Sequence, residues 1–243
     1  MIHEPLIRGS VPAPMVHRLL RRRSDSMPGP ALTEAGTAFS HDFARLRVHT
    51  DQAFARSAAR RGAHAGTSAP GMSLPTGLRP PAPTELSILR PVYGSSIAYS
   101  KVLLSDATGL GGAPFTTVGP SGTVIINIGA AAYKSPGFNP KLLIHETAHV
   151  WQSQHHSNPA QFMVNSVESQ TMAPFWGGNP YCYIPGKPFS SYAAEQIAES
   201  AENGEAAIVS HMAGVAAGAT DPENVKSLSV PRWEKRGAPG VKC

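Results

Sequence analysis

No stretch of this 243-residue chain approaches the run of roughly 20 apolar residues that a membrane-spanning helix needs. Cysteine is nearly absent, with Cys182 and Cys243 the two in the chain. That is too few for a disulfide scaffold, and a cysteine-based zinc site would need more partners. Aromatic residues make up 7%, and no stacking pattern accompanies the basic residues, so specific nucleic-acid binding is not expected. A secretory leader is also missing by pattern. In MIHEPLIRGSVPAPMVHRLLRRRSDS the basic residues follow a short apolar stretch instead of preceding a long one. The chain is therefore expected to start in the cytoplasm, with export by a non-Sec machine left open.

Net positive charge is missing from most of the chain. Residues 1–66 hold ten Arg against five acids, a net +5, and the remainder holds eleven bases and eleven acids. The basic segment reads as a solvated tail. The sharper alternative is an electrostatic contact with an acidic partner.

Glycine and proline, by contrast, are plentiful at 23 each. They divide the chain. Residues 1–37 read as a disordered basic tail. In residues 38–65, Asp51 can cap a short helix that Gly62 ends. Residues 66–83 carry five prolines and three glycines and read as an extended linker. A globular domain is expected over 84–219, and an irregular tail over 220–243. Within the domain, TELSILRPVYG suggests a helix limited by Pro91, and AYSKVLL (98–104) a strand. GTVIINIG (122–129) is the clearest strand. Asn139 and Pro140 then mark the start of a helix running to about His155. A second long helix is expected over Ser191–Ala217. The fold class is α+β, mainly helical with a small sheet, plus an extended N-terminal region.

The first of those long helices holds His145-Glu146-Thr147-Ala148-His149. Helical positions i and i+4 share a face, so two imidazoles can meet one tetrahedral ion. Glu146, about 100° further round, reaches a water instead of the ion. Zinc lowers the pKa of such a water to about 7, and a carboxylate there can take its proton and return it to a leaving amine. A third ligand must come from elsewhere. In SSYAAEQIAES, Glu195 and Glu199 lie one turn apart. Glu195 is the favoured ligand, with Glu199 orienting a ligand histidine or standing in for Glu195. Glu202 and Glu205 are expected to face solvent. His156 would lie roughly 10 Å along the axis from His149, too far for the same ion. His155 and His156 therefore read as a polar helix end. A tyrosine of the 181–192 loop is the candidate oxyanion stabiliser, with Tyr192 chosen over Tyr181 and Tyr183.

These residues also carry a resemblance. KLLIHETAHVWQSQH resembles the zinc helix of a metallopeptidase domain from bacterial loci for extracellular contractile injection systems. DFARLRVHTDQAFARSAARRGAHA resembles the front of that domain, YGSSIAYSKVLLSD a divergent second copy, and YAAEQIAE its Glu-Gln-x-Ala-Glu segment. The resemblance implies a small zincin of the Glu-ligand type, with His145, His149 and Glu195 on Zn2+ and Glu146 as base. It implies a peptidase for protein or peptide substrates, acting as an effector or processing enzyme. The chain would be made in the bacterial cytoplasm and would meet injection-system proteins through residues 1–83. GTVIINIG would be the edge strand pairing with substrate. The competing reading is a non-catalytic zinc-binding scaffold of the secretion particle.

Overall fold

The computed structural model describes residue 73, residues 75–109 and residues 112–243. The expected tail at 1–37 and the segment 38–65 lie outside those residues. The described part is α+β, about half helical with one small sheet. Its elements run β1 (Leu78–Arg79), α1 (Pro83–Tyr93), β2 (Val102–Ser105), β3 (Phe115–Val118), β4 (Val124–Asn127) and α2 (Gly129–Lys134). Then follow α3 (Pro140–Gln154), α4 (Gln161–Met172), α5 (Ala194–Glu202), α6 (Ala206–Gly214) and α7 (Pro222–Ser227). No helix among the described residues is long and apolar enough to cross a membrane.

Four strands form one mixed sheet in the order β1-β2-β4-β3. β2 and β4 run parallel, Val102 beside Val124. β1 and β3 are antiparallel to their neighbours. GTVIINIG is thus a central strand and not the edge. Its alternate residues Val124 and Ile126 are sealed in the core, as a strand with neighbours on both sides requires. The edges are β1 and β3, the latter being Phe115–Val118, four residues flanked by irregular chain.

Helix α3 is the axis of the fold. Asn139 caps it by accepting from the Leu142 amide at 3.2 Å, and Pro140 occupies its first turn, as the sequence predicts. Ten of its 15 residues are buried, because the sheet, α1, α4 and α5 surround it. Trp151, Leu89, Tyr93, Leu104 and Ile126 pack without exposure in the main core. The Trp151 indole donates to the Met212 carbonyl at 2.9 Å, which ties α3 to α6.

Several expectations are corrected. Part of the expected linker forms β1, where Arg79 reaches back to the buried Glu85 carboxylate at 2.6 and 2.7 Å. Pro91 does not stop α1; it lies in the last turn, and Gly94 ends the helix with φ 57°. The first half of AYSKVLL is a 3-10 turn at Tyr99–Lys101, with the strand beginning at Val102. The expected helix Ser191–Ala217 is two helices, α5 and α6, broken at Asn203–Glu205. Gly204 there has φ 70°, which a helix interior excludes. His155 is fully buried, its ring nitrogens 2.7 Å from the Ala219 carbonyl and 3.0 Å from that of Ser96. The expected irregular tail contains α7, capped by Asp221. Finally, Cys182 and Cys243 form a disulfide across a sequence separation of 61. Closing a loop of that length is worth about 4 kcal/mol in the chain-entropy account.

Candidate metal centre

One turn of α3 brings His145 and His149 side by side, their rings 5.3 Å apart. Helix α5 crosses them and delivers Glu195. Its carboxylate lies 3.2 Å from His145 Nε2 and 3.7 Å from His149 Nε2. All three side chains are buried, and one ligand atom from each lies within 4.8 Å of the others. Two nitrogens and one carboxylate oxygen suit zinc.

The other ring nitrogens fix which atoms point at the shared centre. His149 Nδ1 lies 2.8 Å from Gln152 Oε1, whose amide in turn donates to the Ala194 carbonyl at 3.0 Å. An amide oxygen only accepts, so Nδ1 donates to it and Nε2 is the nitrogen left for the shared centre. Glu202 does the same for His145, with its carboxylate 3.3 Å from Nδ1. Glu199 is further away, at 3.9 Å. The orienting role expected of Glu199 therefore falls mainly to Glu202, which is half-buried and does not simply face solvent. Glu195 is also held by Ser166, which donates to Oε1, and by Gln170 at 3.1 Å. These two donors sit one turn apart on α4, a helix the sequence reading did not anticipate. The donor chemistry and the outward-tethered histidines together fit a metal ion.

In the metal-free chain, charge holds the three side chains together. Burial pulls His145 down, but hydrogen bonds and charge from Glu195 and Glu202 outweigh it and raise it to about 10. His149 is raised likewise, against burial, by Glu195. Burial pushes Glu195 up, yet the two imidazoles hold it well below the usual carboxylate range. Glu146 is raised, chiefly by burial, while His149, His145 and a Thr116 hydrogen bond pull the other way.

Glu146 faces the sheet from the same helix. Thr116 Oγ1 donates to Glu146 Oε2 at 2.7 Å and lies 3.1 Å from the Glu146 carbonyl. The edge strand β3 is thereby attached to this carboxylate. Tyr192 is not at the centre. Its hydroxyl donates to the Ile184 carbonyl at 2.8 Å and accepts from the Lys187 amide at 3.1 Å, which closes its own loop. The tyrosine at the centre is Tyr181, whose ring lies 6.1 Å from that of His145. Burial, then the charges of Glu195, Glu146 and Glu199, push its hydroxyl pKa up, so it stays protonated. Thr116, Ser166 and Gln170 carried no sequence signal, because their partners are about 30 residues away. Gln152 did carry one: it sits three residues after His149, on the same face.

Residues 26–85 match the family described as the eCIS core domain. The match associates the chain with extracellular contractile injection systems. It ends at the first turn of α1 and does not reach the histidine helix. No curated protein and no solved structure matches the chain.

Proposed function

We propose that this chain is a zinc-dependent peptidase, serving as an effector or processing enzyme of a contractile injection system. The observation that carries the reading is the buried His145–His149–Glu195 cluster with the Glu146 carboxylate anchored beside it. A purely structural site has no need of that fourth group. Bound among the three ligands, a zinc ion supplies Lewis acidity and lowers the pKa of a water to about 7.

The chain's own residues supply the rest. A substrate backbone adds to the outer edge of β3 as a further strand. Thr116 engages Glu146 Oε2, so proton transfer falls to Oε1. Glu146 would take a proton there from the water whose oxygen bonds the carbonyl carbon, and return it to the amine as the C–N bond breaks; its raised pKa suits both roles. The Tyr181 hydroxyl, still protonated, donates to the carbonyl oxygen as negative charge develops. Gln152 and Glu202 keep both imidazoles aimed inward. The partners are a protein or peptide substrate, with injection-system proteins reached through residues 1–83.

A peptide library read by mass spectrometry tests the proposal. New termini are expected with the zinc-loaded chain, to be lost on chelation and restored by added zinc. A zinc-loaded chain that cuts nothing would leave the scaffold reading in its place.

A further inference from the structure

The disulfide lies in a telling position. Cys182 directly follows Tyr181, and its carbonyl accepts from the Gln196 side chain at 2.7 Å, beside Glu195 on α5. The loop carrying both residues, 177–188, contains no helix or strand. A strap, residues 230–243, holds it in place, and that strap is itself without helix or strand. Two short bridges join them. Asn179 and Glu234 exchange backbone hydrogen bonds of 2.8 and 3.4 Å, and Tyr183 and Lys242 exchange bonds of 2.9 and 2.8 Å. Lys187 adds an ion pair to Glu234 at 2.9 Å. Trp233 of the strap also packs against Gly178 of the loop, while the two-residue pairings and the half-exposed ion pair are weak on their own. The one covalent link between loop and strap is Cys182–Cys243.

We propose that this disulfide is a redox lock on the Tyr181 loop: the loop is set when the bond forms and loosens when it is reduced. The inference rests on the peptidase reading for its effect on catalysis, but not for its effect on the loop. A reducing cytoplasm keeps both cysteines as thiols, and an oxidising exterior does not. A chain that passes from one to the other becomes competent only where its surroundings are oxidising. The oxidant is an external disulfide such as glutathione disulfide. The Cys243 thiolate, on an exposed residue, attacks it and releases one thiol. The Cys182 thiolate then attacks the Cys243 sulfur of the mixed disulfide and releases the second thiol. Two electrons pass to the external disulfide, and the two cysteine protons end on the released thiols. Reduction also begins at Cys243, because Cys182 is fully buried.

Metal is expected to stay in both states, because its three ligands sit on α3 and α5 and not in the loop. The test uses the full zinc-loaded chain, oxidised with glutathione disulfide or reduced with a phosphine. Hydrogen exchange across 177–188, zinc content and peptide hydrolysis are read in parallel. On reduction, exchange in 177–188 should rise at least about tenfold, with zinc retained and hydrolysis lowered by about tenfold or more. Reoxidation should reverse both changes in wild type, and Cys243→Ser should behave as the reduced form throughout. Equal exchange in the two states overturns the lock, as do cysteines that stay free in excess glutathione disulfide. Hydrolysis unchanged while the loop loosens overturns its control of catalysis. A chain inactive in both states whose loop still loosens on reduction upholds the lock and refutes the peptidase reading instead.

Discussion

Gln152→Met tests how the histidines are aimed. Gln152 is fully buried, accepts from His149 Nδ1 at 2.8 Å and donates to the Ala194 carbonyl at 3.0 Å. Methionine fills nearly the same volume but offers neither group. Two buried polar atoms lose their partners, at about 1–3 kcal/mol each, or about 2–6 kcal/mol together. For a domain of this size that lowers Tm by about 4–24 °C. With no acceptor at Nδ1, the imidazole is free to carry its proton on Nε2, the atom that faces the cluster. Zinc affinity should fall by about 10–100-fold. Competition against a chromogenic chelator measures the affinity, and calorimetry the stability. Gln152→Glu separates the two effects. Its carboxylate still accepts from Nδ1 but cannot donate to Ala194, so zinc binding should hold while Tm falls. A Gln152→Met chain that binds zinc within about threefold of wild type would refute the orienting role.

The tyrosine assignment is tested by a pair of variants. Tyr181→Phe should lower kcat by about 10²–10³-fold with KM and zinc content unchanged. Tyr192→Phe should leave kcat nearly intact but cost about 1–2 kcal/mol of stability in urea titrations, since its hydroxyl only closes its own loop. The metal-free chain should also be pH-sensitive in both directions. His145 is raised from 6.5 to about 10, so its stabilisation is complete below pH 6.5 and fades as pH climbs to about 10. Glu195 is lowered from 4.5, so its contribution is complete above pH 4.5 and fades below it. Urea unfolding should show stability lost between about pH 6 and about pH 9 as His145 gives up its proton; equal stability at those two pH values would contradict the ion-pair account.

The helix at the heart of the site was legible because its signals are local. A cap, a first-turn proline and two histidines one turn apart need no partner to be read. Glu195 was within reach for the same reason, sitting at the start of its own helix. What failed was set by distant contacts. Phe115–Val118 has four residues and irregular neighbours, so its strand character comes from pairing with β4. The break at Gly204 was masked by alanine-rich sequence on both sides. Tyr192 and Tyr181 look alike in the chain, and only the hydrogen bonds to Ile184 and Lys187 show which is engaged elsewhere. Two cysteines are poor grounds for expecting a disulfide, and their pairing depends on a strap folding back across 61 positions.

The central claim is that Glu146 performs chemistry beside a metal it does not hold. Zinc content and peptide cleavage measured side by side in wild type and Glu146→Gln test this most directly. Equal zinc occupancy is expected, with cleavage lower by about 10²–10⁴-fold in the variant. Equal zinc with equal cleavage, or with no cleavage by either chain, would contradict the account.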